Sequence, residues 1–123
     1  MNAITVDRGS LGRDTLERVL RLLRDGGALL IFPEGTRSLD GKIRDARPGV
    51  GMMATAAGVP VVPAYVRGTR RLGRAIFRRG SLGVFFGDPI LPEEIEGANR
   101  KERRRRIGEE VTGRIRALQS IYG

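Results

Sequence analysis

Side chains that could bind an anion follow directly on an apolar run in the first third of the chain. Residues 29–32 read Leu-Leu-Ile-Phe, and behind Pro33 stand a carboxylate, a glycine, a hydroxyl and a guanidinium: Glu34, Gly35, Thr36 and Arg37. Glycine lets a ligand approach the backbone closely, and the planar guanidinium matches the oxygens of a phosphate or carboxylate. The segment therefore predicts an anion site. A surface turn held by a local Glu34–Arg37 ion pair is the alternative.

Two further arginines stand where a phosphate could be bound. Arg8 follows a predicted short strand near the start of the chain, and Arg47 directly precedes a predicted helix that opens at Pro48. Guanidinium groups bind phosphate through paired charge-assisted hydrogen bonds, and the N-terminus of a helix adds backbone N–H donors. Each arginine taken alone is equally compatible with a solvated surface charge. Together with Arg37 they favour a phosphate site.

Alternating helical and strand patterns surround these residues. A helix is predicted with Asp14 as its N-cap and Glu17 reaching back in a capping box, and the Gly26-Gly27 pair should end it. A buried strand over residues 28–32 follows, because its apolar residues do not alternate with polar ones. The later predicted elements are a helix from Pro48 to Gly58, strands over residues 60–66 and 81–87, and a final helix capped by Asn99 and Glu102. Strand, helix and strand in this order predict a right-handed βαβ unit, and hence an α/β fold with a mostly parallel sheet and flanking helices.

Composition and spacing exclude several kinds of chemistry. The chain has 123 residues, enough for one domain at most, and contains neither cysteine nor histidine, so thiolate metal sites and histidine acid–base catalysis lack their residues. A nucleotide-binding P-loop does not fit, because five residues instead of four separate Gly35 from Gly41 and Ile43 replaces the required serine or threonine. No apolar run approaches the roughly 18 residues of a transmembrane helix, and the N-terminus does not read as a signal peptide.

Positive charge is concentrated in two segments. The formal net charge is +9, with six arginines and no acid in residues 67–79 and six basic residues beside Glu102 in residues 100–106. The first segment also carries apolar side chains and suits an anionic membrane surface, with predicted contacts from Arg70, Arg71, Arg74, Ile76, Phe77 and Arg78. The second opens the final helix, whose apolar stripe is Ile107, Val111, Ile115, Leu118 and Tyr122. It could bind nucleic acid or form a solvated helix face, and nucleic acid is the weaker interpretation because only 5% of residues are aromatic.

Four segments resemble the sequence blocks of the glycerolipid acyltransferases, the family of 1-acylglycerol-3-phosphate acyltransferase. Residues 32–38, Phe-Pro-Glu-Gly-Thr-Arg-Ser, resemble the third block, and residues 4–8 resemble the end of the second. Residues 46–49 resemble the Phe-Lys-x-Gly segment after the third block, with Arg47 in place of lysine. Residues 59–64, Val-Pro-Val-Val-Pro-Ala, resemble the fourth block, so that the resemblance covers about residues 2–95.

The resemblance implies acyl transfer from acyl-CoA or acyl carrier protein to a lysophospholipid, chiefly 1-acylglycerol-3-phosphate to give phosphatidate. It places the acceptor phosphate at Arg8, Glu34, Gly35, Thr36, Arg37 and Arg47. It assigns the shaping of the substrate or acyl pocket to Pro60, Val61, Val62 and Pro63. No metal and no bound cofactor are implied, since the acyl donor is a substrate. The expected location is peripheral, on the cytoplasmic side of the membrane.

The chain departs from the family in its catalytic block. That block is His-x-x-x-x-Asp, whose histidine takes the proton from the acceptor hydroxyl, and the chain contains no histidine. Asp7 and Glu34 are poor substitutes, because an ordinary carboxylate has a pKa far below the near-neutral value that suits such a base. We therefore expect residues 1–123 to form one N-terminally truncated acyltransferase domain that ends in a basic amphipathic helix at about residues 99–121 and is inactive alone. The alternative is a non-catalytic module that binds anionic lipid.

Overall fold

Three helices and a two-stranded sheet make up the part of the chain that the computed structural model describes, residues 12–31, 49–67 and 83–123. The helices are α1 (Arg13–Arg24), α2 (Gly49–Ala57) and α3 (Arg100–Tyr122). The strands are β1 (Ala64–Arg67) and β2 (Gly83–Phe86), and a short 3-10 turn spans Pro92–Glu94. Helices and strands therefore both occur, as predicted. The predicted strand that precedes Arg8 lies outside the described residues.

Helix α1 ends as predicted but begins two residues early. Its N-cap is Gly12, whose carbonyl accepts a hydrogen bond from Leu16 N at 3.0 Å, and no side chain caps it. The predicted N-cap, Asp14, is instead in the first turn, where a carboxylate interacts favourably with the helix dipole. At the other end Gly26 has a φ of 87°, and the amides of Gly26 and Gly27 donate to the carbonyls of the last turn. This is the glycine-terminated stop that the sequence indicates.

The described sheet is antiparallel, which corrects the prediction of a mostly parallel one. Strand β1 pairs with β2 so that Ala64 faces Phe86 and Arg67 faces Gly83. The ladder continues as an isolated bridge in which Val61 and Ile90 exchange hydrogen bonds of 2.9 and 2.7 Å. Strand β1 starts later than the predicted residue 60, because prolines at 60 and 63 have no N–H to donate to a ladder.

The apolar run before Phe32 is not a buried strand in its described part, so this prediction is wrong for residues 28–31. No strand is assigned there, and the side chain of Leu30 is 81% exposed. A strand exists only when a neighbour completes its hydrogen bonds, and within the described residues no strand pairs with this run. The predicted βαβ unit accordingly lacks its first strand in the described part of the chain.

The hydrophobic core lies where α2 and α3 meet the sheet. Its buried members are Val50, Ile90, Ile107, Val111 and Ile115. Four of the five predicted stripe positions on α3 are buried, and Tyr122 is the exception at 39% exposure. Tyr122 instead stacks on Phe85 of β2 with ring centroids 4.0 Å apart, and Arg67 lies over the same Phe85 ring. Through these contacts, the last turn of α3 packs against the sheet.

The start of α3 is capped by the two residues that the sequence singled out. The side chain of Asn99 accepts a hydrogen bond from Glu102 N at 2.9 Å. The carboxylate of Glu102 reaches back and accepts from Ala98 N at 2.9 Å, one residue before the position expected of a capping box. Both contacts satisfy backbone donors that the helix itself cannot pair.

The Glu102 carboxylate should make the stability of the chain depend on pH. The pKa of the Glu102 carboxyl lies below its ordinary value of 4.5. The main cause is the hydrogen bond that the carboxylate accepts from Ala98 N–H, and the next largest is the positive charge of Arg106. A carboxyl group whose pKa is lower in the folded state stabilises the fold fully at pH values above its unfolded-state pKa. This stabilisation is lost as the pH falls through the lower, folded-state pKa. We expect Glu102→Gln to lower the denaturation midpoint at pH 7 and the difference from the parent chain to shrink below about pH 4.5. The surface variant Glu93→Gln is the control, and a difference that stays constant across this range would contradict the assignment.

Candidate functional site

The six predicted phosphate-binding residues lie outside the described part of the chain: Arg8, Glu34, Gly35, Thr36, Arg37 and Arg47. The structure does describe the residues that border residues 32–48 on either side, which are Ile31 and Gly49. The part of the candidate site that the structure describes is therefore the helix that follows Arg47, which begins at Gly49.

Helix α2 begins at Gly49, two residues after Arg47, and its first turn suits an anion. No acidic side chain occurs in that turn, and a Cβ added at Gly49 would meet nothing within 4 Å. The first backbone N–H groups of a helix have no partner within the helix and carry a partial positive charge. An anion near Arg47 would thus meet donors and no opposing carboxylate from the first turn of α2.

The position of α2 is fixed by close backbone packing against α3. A Cβ added at Gly51 would clash with the carbonyl oxygen of Arg104 and lie 2.9 Å from Arg104 Cα. At the far end of α2, the Arg24 guanidinium of α1 donates to the carbonyl of Ala56 at 3.0 Å. Helix α2, which follows Arg47, is therefore held by α3 near its start and by α1 near its end.

Two of the four predicted pocket residues are in or against the core, and two are at the surface. Pro63 is fully buried, and its carbonyl accepts a hydrogen bond from Gly87 N at 2.8 Å. Val61 forms the bridge to Ile90, whereas Val62 is 49% exposed and Pro60 is also exposed. Buried Pro63 and partly buried Val61 support the start of β1. A role of these four residues in an acyl or acceptor pocket stays a prediction.

Three of the six basic residues at the start of α3 have partners within the described part of the chain. Arg103 donates to the carbonyl of Pro92 at 3.0 Å. Arg105 pairs with Glu109 at 2.6 Å, and Arg106 pairs with Glu102 at 3.0 Å. The sequence predicted one basic patch over residues 100–106. The four-residue spacing between Glu102 and Arg106, and between Arg105 and Glu109, already indicated ion pairs along the helix. These ion pairs lower the net charge that Arg105 and Arg106 present at the surface.

The described residues contain no group of three or more histidine, cysteine, aspartate or glutamate side chains that could hold a metal ion. Among them, no helix has the length and apolar character needed to cross a membrane. The predicted membrane contacts lie outside the described part: Arg70, Arg71, Arg74, Ile76, Phe77 and Arg78.

Comparison with known proteins gives a consistent set of relatives. The chain is 36% identical over 81 residues to a chloroplastic 1-acyl-sn-glycerol-3-phosphate acyltransferase of Brassica napus, covering 63% of the chain and 24% of that relative. It is 29% identical over 121 residues to the 1-acyl-sn-glycerol-3-phosphate acyltransferase of Bacillus subtilis, covering 98% of the chain and 59% of the relative. The crystal structure of the 1-acyl-sn-glycerophosphate acyltransferase PlsC from Thermotoga maritima superposes with a TM-score of 0.59 at 27% identity, over 84% of the chain and 45% of PlsC.

The chain spans between about a quarter and three fifths of the length of these proteins. The family model described as Acyltransferase matches residues 1–67, which include the predicted phosphate residues, the start of α2 and the segment from Pro60 to Pro63. Since this match covers more than half of its 123 residues, the chain belongs to the Acyltransferase family.

Proposed function

We propose that the chain forms the acceptor-binding part of an acyltransferase that converts 1-acylglycerol-3-phosphate (lysophosphatidate) into phosphatidate in phospholipid biosynthesis. The observation that carries this proposal is the family match over residues 1–67, which contains both the Glu-Gly-Thr-Arg segment and the start of α2. The relatives from Brassica napus and Bacillus subtilis are both 1-acyl-sn-glycerol-3-phosphate acyltransferases. The acyl donor is acyl-CoA or acyl carrier protein.

The acceptor phosphate is bound by cationic side chains and by the helix that follows them. Arg8, Arg37 and Arg47 supply charge-assisted hydrogen bonds, which are roughly twice as strong as hydrogen bonds between neutral groups. The N–H groups of the first turn of α2, which have no partner within the helix, add further donors. The lack of an acidic side chain in that turn supports this role, because a carboxylate there would compete with the phosphate.

The chemical step needs a base that accepts the proton of the acceptor hydroxyl. The acceptor hydroxyl attacks the thioester carbonyl, the new C–O ester bond forms, and the C–S bond breaks to release the thiol. The hydroxyl proton must pass to a base, and a group with a near-neutral pKa is best suited to accept it at neutral pH. None of the 123 residues is a histidine, so we propose that the chain alone does not transfer acyl groups.

The substrates also imply where the chain acts. Lysophosphatidate and phosphatidate are membrane lipids, so the site has to reach a bilayer surface. We propose peripheral association on the cytoplasmic side through the basic and apolar segment of residues 70–78. Each basic residue near an anionic surface contributes on the order of 1 kcal/mol, so several arginines together would suffice for binding.

A chimera tests the proposal. In it, the chain replaces the region that it matches in the Bacillus subtilis relative, which is 59% of that protein. We expect the chimera to form phosphatidate from lysophosphatidate and radiolabelled acyl-CoA, and the chain alone to form none above the protein-free rate. The unmodified relative is the positive control. Turnover by the chain alone, or none by the chimera, would contradict the proposal, and binding of anionic lipid without turnover in the chimera would favour a non-catalytic binding module.

A further inference from the structure

Half of the basic residues at the start of α3 have no partner among the described residues. Three of the six donate to a carbonyl or pair with a carboxylate: Arg103, Arg105 and Arg106. The other three make no hydrogen bond or ion pair with a described residue: Arg100, Lys101 and Arg104. Residues three and four apart are neighbours on a helix, so these three lie side by side. We call Arg100, Lys101 and Arg104 the unpaired stripe.

The unpaired stripe places like charges at spacings where α3 elsewhere places opposite ones. Arg104 follows Arg100 by four residues and Lys101 by three. Like charges at these spacings destabilise a helix, whereas opposite charges stabilise it. At the four-residue spacing, α3 pairs carboxylates with Arg105, Arg106 and Arg114. An anion bound at the stripe would relieve the repulsion that the described residues leave in place.

Arg104 is the member of the stripe that is partly withdrawn from water. Its Nε atom is buried, and no described residue accepts a hydrogen bond from it. A buried N–H of a charged group without an acceptor costs free energy, so folded proteins rarely leave one unpaired. The backbone of Arg104 meets the first turn of α2 at Gly51. Since Nε lies close to the backbone in an arginine side chain, the missing acceptor belongs near this contact.

We infer that Arg104, together with Arg100 and Lys101, binds a phosphate group of a substrate beside the first turn of α2. Phosphate oxygens are strong acceptors that match a guanidinium, and the first turn of α2 has no acidic side chain to compete with them. The inference rests on the proposed function, because it takes the ligand from the phosphate-bearing substrates of that reaction, lysophosphatidate and acyl-CoA. It adds binding residues that lie outside the family match over residues 1–67.

A small phosphate-bearing ligand fits the stripe better than a bilayer or a protein does. The Nε atom of Arg104 is buried, so a membrane surface could not supply its acceptor. A stable protein interface buries roughly 1,200–2,000 Å², whereas the stripe occupies little more than one helical turn.

Ligand binding to the full chain tests the inference with two pairs of ligands, each differing in phosphate. One pair is a short-chain lysophosphatidate and the monoacylglycerol of the same chain length, and the other is coenzyme A and pantetheine. We expect Arg104→Gln to lower the preference for the phosphate-bearing member of at least one pair by about tenfold or more, because hydrogen bonds to a charged group are lost. Lys101→Gln, at an exposed position, should lower the same preference by about threefold. The control is Arg105→Gln, which removes a paired arginine from the same helix and should leave both preferences unchanged.

The pair that responds identifies the substrate. Unchanged preferences in Arg104→Gln and Lys101→Gln would overturn the inference, and Lys101→Gln alone decides if Arg104→Gln does not fold. Equal weakening of both members of a pair would also overturn it, since Arg104 would then support the structure without binding phosphate.

The same titrations separate this inference from the proposed function. A parent chain that prefers lysophosphatidate, with variants that keep this preference, would contradict the inference alone. A parent chain that discriminates only coenzyme A from pantetheine, and loses this discrimination in the variants, would support the inference and contradict the proposed acceptor site. A parent chain that discriminates neither pair would contradict both.

Discussion

Replacing Arg37 by alanine in the chimera is expected to raise the KM for lysophosphatidate by about 10- to 100-fold, because a hydrogen bond to a charged group contributes roughly 1.5–3 kcal/mol. The KM for acyl-CoA should change by less than about twofold, because binding of the donor does not use the acceptor phosphate site. Both constants come from initial rates measured with one substrate varied and the other saturating. The effect is expected to be large because a guanidinium can donate two parallel hydrogen bonds to one phosphate, whereas alanine donates none.

The matched control is Arg18→Ala, which removes the same side chain from an exposed position of α1. It should leave both constants unchanged. If Arg37→Ala weakened the use of both substrates equally, Arg37 would support the protein structure or the chemical step, and its assignment to the acceptor phosphate would be wrong. Arg37→Lys should restore part of the binding, since it retains the charge without the planar fork.

Gly51→Val is expected to destabilise the chain strongly. The added side chain would clash with the backbone of Arg104, so α2 and α3 would have to move apart. Overpacking a close contact costs roughly 1–3 kcal/mol and more where only backbone can yield, so we expect a loss of about 3 kcal/mol. For a chain of this length, that corresponds to a drop in the melting temperature on the order of 10 °C or more. Thermal or urea denaturation followed by circular dichroism measures it.

Gly49→Ala is the control within the same helix. Nothing lies within 4 Å of the Cβ position at Gly49, and alanine is the better helix former, so this variant should be neutral or more stable by up to about 1 kcal/mol. A Gly51→Val chain as stable as its parent would show that α2 and α3 are not in backbone contact. The start of α2 would then not be fixed as described.

Local signals in the sequence predicted the ends of helices well. Gly26 can adopt the left-handed conformation at the end of α1, and the side chains of Asn99 and Glu102 can accept from backbone amides in and just before the first turn of α3. Both effects need only residues a few positions apart. The N-cap of α1 was missed because Gly12 and Asp14 are both acceptable near a helix start. In the structure the first helical hydrogen bond runs from Leu16 N to Gly12 O, which makes Gly12 the N-cap.

The arrangement of strands could not be predicted in the same way. An apolar run predicts burial, but its pairing partner and direction depend on residues far away in the chain. The sequence pattern of β1 and β2 was compatible with either direction, and the structure shows them antiparallel. The run from Ala28 to Ile31 has the composition of a core strand, yet its residues are exposed. Composition therefore indicates which kind of environment favours a segment, but not which residues the segment contacts.

For the candidate site, the residue types and their order could be read from the sequence. The structure added the position of α2, the helix that follows Arg47, between α1 and α3. The cationic character of Arg8, Arg37 and Arg47 can be read directly from their chemistry. The fixed position of α2 could not, because it depends on the contact between Gly51 and Arg104, which are far apart in the sequence. The pairing of Arg105 and Arg106 with nearby acids was readable in principle from their spacing.

The central claim, that the chain binds an acceptor through its phosphate, is tested most directly by ligand affinity. The dissociation constant of a short-chain lysophosphatidate is measured for the full chain below the micelle concentration and compared with that of the monoacylglycerol of the same chain length. We expect the phosphate to strengthen binding by about tenfold or more, with a difference that shrinks as salt is added. Equal affinities for the two lipids at low salt would contradict the claim.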